Sequence, residues 1–315
     1  MNHSVTDKRD HNSGTDYMDP NVIMAIQSLE LRARLVVDGF RNGMNRSSRH
    51  GFSVEFSEYR SYSPGDDPRF IDWKLAARTD RHYIRRYEDE TNLRCMIVLD
   101  CSRSMQFGSL NYTKSEYART MAAAMSWLLQ SQGDAVGITL FDEVVRQTVT
   151  PRFRPGQLRR ILIALEQSAG GTDTRPAMAL ERTAQLLRRR SLVILISDLL
   201  SPADDLATGL RSLRGAGHET LILQILDPAE LSLNFTQAFE FADLETGRQV
   251  HCDPELVRSQ YQQRMAEHQE AIIRLCDSLG IPIQTCKTET PAEKTLADFL
   301  QLRRHRRHER SRGYA

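Results

Sequence analysis

The sequence predicts an α/β fold: a doubly wound, mainly parallel sheet with one antiparallel edge strand and a small N-terminal α+β segment docked on it. Three observations carry that expectation. From residue 93 onward, short apolar runs alternate with longer stretches whose apolar residues recur at helical spacing, the pattern of a sheet covered by helices on both faces. Two of the apolar runs, 93–100 and 192–197, lead directly into the aspartates Asp100 and Asp198. The runs 135–141 and 144–150 are separated only by an acidic turn at Asp142 and Glu143, which marks a hairpin and so an antiparallel edge.

Taken in order, residues 1–19 are polar and aperiodic and read as a disordered tail. Val22, Ile26, Leu29, Ala33, Val37 and Phe40 fall at helical spacing and predict one amphipathic helix over 21–40. Phe52, Val54 and Phe56 alternate with polar residues, as in a half-buried strand over 51–57, and a second strand is expected at 83–87. Between these strands, Pro64-Gly65 makes a turn and Asp67-Pro68 starts a short helix. After the strand 93–100, a Thr113-x-x-Glu116 capping box opens a helix over 113–130 striped by Tyr117, Met121, Met125 and Leu128. Helices at 156–167 and 175–190 follow the hairpin. They lead to the strand 192–197, a helix within 203–214 and the strand 219–226. A two-stranded patch at 239–244 and 248–252, a long helix at 254–279, a strand at 281–286 and a last helix at 292–302 complete the pattern, leaving 303–315 as a basic tail.

Composition limits the function classes. A chain of 315 residues, 40% hydrophobic and 26% charged, is long enough for one large core and a smaller unit. No apolar run reaches the length of a bilayer span, and the N-terminus has no basic-then-apolar leader, so a cytoplasmic location is expected. The five cysteines have no Cys-x-x-Cys spacing and read as reduced core residues. A formal net charge of +1 offers no global field to a membrane or nucleic acid. The basic block from Arg303 to His308 solvates a helix end rather than reading nucleic acid. His251-Cys252 lacks the spacing zinc needs.

The chemistry concentrates where the strands end. Asp100, Ser102 and Ser104 set three short oxygen side chains at alternate positions after an apolar strand. Thr172 lies in the glycine-flanked loop Gly170-Gly171-Thr172-Asp173, and Asp198 follows the second strand. Three hydroxyls and two carboxylates suit Mg²⁺ or Mn²⁺, because a hard ion with six oxygens needs only one or two carboxylates from the protein. In open parallel sheets the ligand sits outside the carboxyl ends of strands, at the point where strand order reverses. A structural reading stands beside this one: Asp100 or Ser102 would cap the next helix or close an Asx turn. The chain has no phosphate-binding glycine loop, dinucleotide fingerprint or nucleophile elbow, and no phosphate-clamping Lys or Arg stands out beside the acids except Arg103. A non-catalytic binding role is therefore preferred, with a magnesium-dependent phosphohydrolase using the same aspartates as the alternative.

Asp-x-Ser-x-Ser, then Thr, then Asp resembles the metal-ion-dependent adhesion site of von Willebrand factor A domains, with all five positions matching: Asp100, Ser102, Ser104, Thr172 and Asp198. On that resemblance residues 93–302 would form a von Willebrand A domain, a Rossmann-like architecture. The preceding stretch from Arg60 to Trp73, with Ala77-Arg78-Thr79 and Tyr87-Glu88-Asp89-Glu90, is similar to the signature of the domain of unknown function 58 family and defines a segment over 20–92. Asp66, Asp67 and Asp72 within it read as a structural turn feeding a helix, or else as a second acidic site. Family members are often encoded beside MoxR-type AAA+ ATPases. The resemblance therefore implies a protein partner, such an ATPase or its client, that offers an acidic residue to the metal. This chain lacks the membrane helices that many relatives carry upstream, which implies a form without a membrane anchor.

Overall fold

The computed structural model describes residues 17–47, 59–61, 83–85, 93–167, 171, 173–233, 239–242, 249–252 and 254–312. Two compact units are distinguished: residues 1–43 with 93–315, and residues 44–92. In the smaller unit the described residues are the last turn of a helix at 44–47 and a short antiparallel pair, β1 (Tyr59–Ser61) with β2 (Tyr83–Arg85). β2 lies inside the strand expected at 83–87. Its partner comes from the stretch after Ser57, and the strand expected at 51–57 and the turn and helix expected at 64–68 lie outside the described residues.

The larger unit begins with two helices where the sequence suggested one. α1 (Pro20–Met24) is capped by Asp19, whose carboxylate accepts from the Asn21 backbone at 2.8 Å. α2 (Leu29–Ser47) starts afresh after Ser28, whose hydroxyl accepts from the Leu31 N–H at 3.3 Å. Periodicity survives the break because both helices bury a stripe of apolar residues, although Val22 is exposed, and periodicity alone does not register a cap in mid-run. Ile23, Met24, Leu29, Ala33, Val36, Val37 and Phe40 are all buried. The smaller unit ends at residue 92 but begins at residue 44, so residues 20–43 group with the sheet domain.

That sheet has six strands: β3 (Arg94–Asp100), β4 (Ala135–Phe141), β5 (Val145–Arg152), β6 (Leu192–Ser197), β7 (Glu219–Leu226) and β10 (Ile283–Lys287). Their order is β10-β7-β6-β3-β4-β5, parallel throughout except for the antiparallel pair β4–β5. The chain leaves β3 toward one edge through β4 and β5, then returns to β3's other side with β6, so strand order reverses between β3 and β6. β8 (Phe239–Ala242) and β9 (Gln249–Cys252) form a separate antiparallel pair.

Both faces of the sheet are covered, as the near-continuous apolar strands require. On one face Met96, Val98, Val193, Leu195 and Ile222 pack with residues of α5 (Pro176–Leu186), α6 (Ala203–Gly215) and α8 (Pro254–Leu279). The alternate residues Leu192 and Ile194 face Met125, Leu128 and Leu129 of α3 (Lys114–Ser131) and Leu296 and Phe299 of α9 (Ala292–Arg312). α4 (Gln157–Glu166) packs against α3 and β4. The expected capping box forms: Thr113 Oγ1 accepts from the Glu116 N–H at 3.2 Å and Glu116 accepts from the Thr113 N–H at 2.9 Å. α9 runs to Arg312, so the basic block expected as a tail from residue 303 lies on a helix. Two elements escaped the sequence reading, a 3₁₀ turn at Ser104–Gln106 and the five-residue α7 (Pro228–Ser232). Among the described residues no helix is long and apolar enough to cross a membrane.

Candidate metal site

Asp100 ends β3, and Asp198 follows the last residue of β6. Since β3 and β6 are parallel neighbours in register from Cys95 with Leu192 to Leu99 with Ile196, both carboxylates emerge at the same sheet end, at the reversal of strand order. Each is only 1% exposed. Asp100 Oδ1 accepts from the Ser102 N–H at 2.8 Å, and Oδ2 accepts from the Ser197 hydroxyl at 2.7 Å. The first bond is the Asx turn that a purely structural reading requires. It leaves lone pairs on both oxygens, because a carboxylate has about four acceptor positions. Burial, then the charge of Asp198, push the Asp100 carboxyl up to about 7, against the hydrogen bonds from Ser197 and Ser102.

The hydroxyls converge beside it. Ser102 is fully buried, and its Oγ lies 3.1 Å from Ser104 Oγ at the start of the 3₁₀ turn. Two neighbouring ligands of an octahedral ion at about 2.1 Å stand about 3.0 Å apart. The serine oxygens thus already have the spacing of a ligand pair. Among the described residues no three His, Cys, Asp or Glu gather to hold a metal. Thr172 lies outside the described residues. Its neighbour Gly171 is tied to the site, since its N–H donates to the Cys101 carbonyl at 2.7 Å. Only glycine fits there: a Cβ on Gly171 would stand 2.6 Å from Asp142 Cβ and 2.7 Å from its Cγ. Asp142, at the end of β4, is itself buried and held by Arg146, whose Nε donates to both carboxylate oxygens at 2.9 and 2.8 Å.

The turn after β6 is held from several sides. The Asp198 carbonyl accepts from Gln224 Nε2 at 3.0 Å, and Gln224 in turn accepts from Thr285 Oγ1 at 2.8 Å. Leu199 has φ 57°, a left-handed conformation rare for a leucine. It is kept there by burial of its side chain, by its N–H donating to Ser197 Oγ at 3.0 Å, and by a 2.7 Å bond between its carbonyl and His268 Nε2.

One functional side chain was missed. Lys114, the first residue of α3, is fully buried and its Nζ donates to Asp198 Oδ2 at 2.8 Å and to Glu230 Oε1 at 2.5 Å. Burial works against its charge, but the Asp198 and Glu230 carboxylates outweigh it and hold the ammonium above its ordinary pKa. Glu230 is raised by burial in spite of Lys114. Beyond Arg103, then, a cation does stand beside the acids. The one local signal was a lysine at the first position of a helix, where the macrodipole favours acids.

Three kinds of comparison bear on the chain. The family model described as protein of unknown function DUF58 matches residues 58–271. Uncharacterized proteins of Mycobacterium bovis and Mycobacterium tuberculosis are each 29% identical over 296 residues, 92% of this chain and 92% of theirs. Among solved structures, an aerotolerance-related membrane protein from Bacteroides fragilis is similar at 16% identity and a TM-score of 0.43, covering 66% of this chain and 98% of its own. The von Willebrand A domain of a protein named SpRpn10 is similar at 10% identity and a TM-score of 0.40, covering 65% and 93%.

Proposed function

For a chain that belongs to the DUF58 family, whose function is unknown, we propose the role that its own strand-end site supports: a non-catalytic adaptor that binds an acidic residue of a protein partner through a divalent metal. Mg²⁺ or Mn²⁺ would be held by Asp100, Ser102, Ser104, Thr172 and Asp198, and when bound supplies a Lewis-acidic position for an incoming Asp or Glu. The observation that carries this reading is the 3.1 Å pair of serine oxygens beside two buried carboxylates at the reversal of strand order.

The chain's own residues do the rest. The Ser102 N–H and the Ser197 hydroxyl fix the Asp100 carboxylate, while Leu200 N–H and Lys114 fix that of Asp198, so neither reorganises when charge arrives. Only two carboxylates face the ion, so a coordination position is left for a partner. The gross attraction of a divalent ion for a carboxylate about 4 Å away is roughly 8 kcal/mol at an effective dielectric of 20, before desolvation. On the family's gene association, the partner is a MoxR-type AAA+ ATPase or its client, with a role in protein complex assembly or maturation. The hydrolase alternative draws no support from the geometry, because the lysine beside the aspartates turns its ammonium to Asp198 and Glu230 rather than outward to a phosphate.

The test is a Mn²⁺ titration by calorimetry, followed by capture of the ATPase with and without chelator. One ion per chain is expected, lost in the Asp100→Ala/Asp198→Ala variant, and capture should fail in chelator. Equal binding by the double variant would remove the site. Chelator-independent capture by a folded Ser102→Ala/Ser104→Ala variant would move the docking surface elsewhere.

A further inference from the structure

Lys114 does more than fill the site's floor. Its ammonium stands between Asp198 at 2.8 Å and Glu230 at 2.5 Å with its side chain wholly out of water. The geometry is built and braced. Thr113 caps the helix that carries Lys114, and the ring centroid of Phe107 lies 6.0 Å from Nζ. Glu230 is held in turn, because its Oε2 accepts from the Asp227 N–H at 3.0 Å. Asp227 is fixed by the Ser109 N–H at 2.9 Å and by the Ala229 N–H at 2.9 Å. Leu200 N–H takes Asp198 Oδ1 at 3.2 Å while Lys114 takes Oδ2, so both oxygens of this aspartate are partly engaged from within the protein.

We infer that Lys114 is a built-in counter-cation of the metal site, a positioning residue that holds Asp198 and deliberately weakens the site's grip on its ion. The inference rests on the proposed metal-binding role and deepens it. With the acids ionised, Asp100, Asp198 and Glu230 set against Lys114 leave two negative charges, which a divalent ion just cancels. Without the lysine three would remain, the ion would bind more tightly, and the loaded site would stay negative and repel an acidic partner. Lys114 thus exchanges ion affinity for partner affinity. Glu230, set on the far side of the ammonium, anchors the lysine so that it does not fully neutralise Asp198.

The probe is Mn²⁺ alone, titrated by calorimetry into the full chain and three variants, each first checked for folding by circular dichroism. Lys114→Met should bind Mn²⁺ at least tenfold more tightly, about 1.4 kcal/mol. Lys114→Met/Glu230→Gln restores the wild-type charge of the site and should return to within about threefold of the wild-type Kd, a factor worth less than half of that change. Glu230→Gln leaves the lysine to Asp198 alone and should bind several-fold more weakly. Unchanged or weaker binding by Lys114→Met, with the wild type binding normally, would overturn the role of Lys114 and leave the metal site standing. A wild type that binds no Mn²⁺ would instead remove the metal reading itself, and this inference with it. Should Lys114→Met fail to fold, the ordering of Glu230→Gln and the double variant against wild type decides the matter, and equal affinities for the three would overturn the inference.

Discussion

Replacing Gly171 by alanine tests how tightly that position is set against the ends of β3 and β4. The added methyl would fall 2.1 Å from Asp142 Oδ2 and 2.6 Å from its Cβ, where ordinary contacts begin about 1 Å farther out. Asp142 has little room to yield, being buried, with its Oδ1 accepting from the Val144 N–H at 3.1 Å and from Arg146. The overlap is relieved by moving Gly171, which breaks its 2.7 Å bond to the Cys101 carbonyl. Overpacking costs about 1–3 kcal/mol and the lost hydrogen bond about 0.5–1.5 kcal/mol, together about 2–4 kcal/mol. For a domain of this size that lowers Tm by roughly 4–16 °C. Because Thr172 is the next residue, Mn²⁺ affinity should fall about tenfold in the same variant, as expected when a ligand is displaced by about 1 Å. Differential scanning calorimetry and Mn²⁺ titration read the two effects. A variant that melts within 2 °C of wild type, at about one-half of the smallest expected shift, and binds Mn²⁺ with wild-type affinity would refute the packing argument.

Two further outcomes are expected. With its carboxyl raised to about 7, Asp100 keeps a proton in the folded state that the unfolded chain releases near pH 4, so its contribution to stability is full below about pH 4 and is lost as pH rises through 7. Metal-free wild type should therefore lose Tm relative to Asp100→Asn between pH 5 and 8, and saturating Mg²⁺ should restore it in the wild type alone; a constant difference across that range would count against the assignment. Tyr117→Phe removes a hydroxyl that donates to the Thr290 carbonyl at 2.9 Å and lies 2.8 Å from Thr295 Oγ1. It should cost about 1–3 kcal/mol of stability by thermal unfolding while leaving the Mn²⁺ affinity unchanged, since the pair ties α3 to the α9 side of the domain and not to the site.

The sequence by itself determined what is carried by neighbours along the chain. The apolar runs ending in Asp100 and Asp198 located two parallel strands, Thr113 and Glu116 set the start of α3, and the acidic turn after Phe141 marked the antiparallel edge, because periodicity, caps and turns depend on residues a few positions apart. The tertiary structure decided what depends on distant partners. Lys114 reaches Asp198 across 84 residues and Glu230 across 116, and no spacing rule links those positions. The same holds for the His268 contact that supports the left-handed Leu199 from 69 residues away. It holds also for Asp142, which limits position 171 to glycine. Even the two-helix start was hidden, because the Ser28 cap interrupts the helix without interrupting its buried stripe. Short oxygen side chains at strand ends can be read from a line of residues, but the buried ammonium that meets Asp198 and Glu230 is brought in only by the closure of the sheet and its helices.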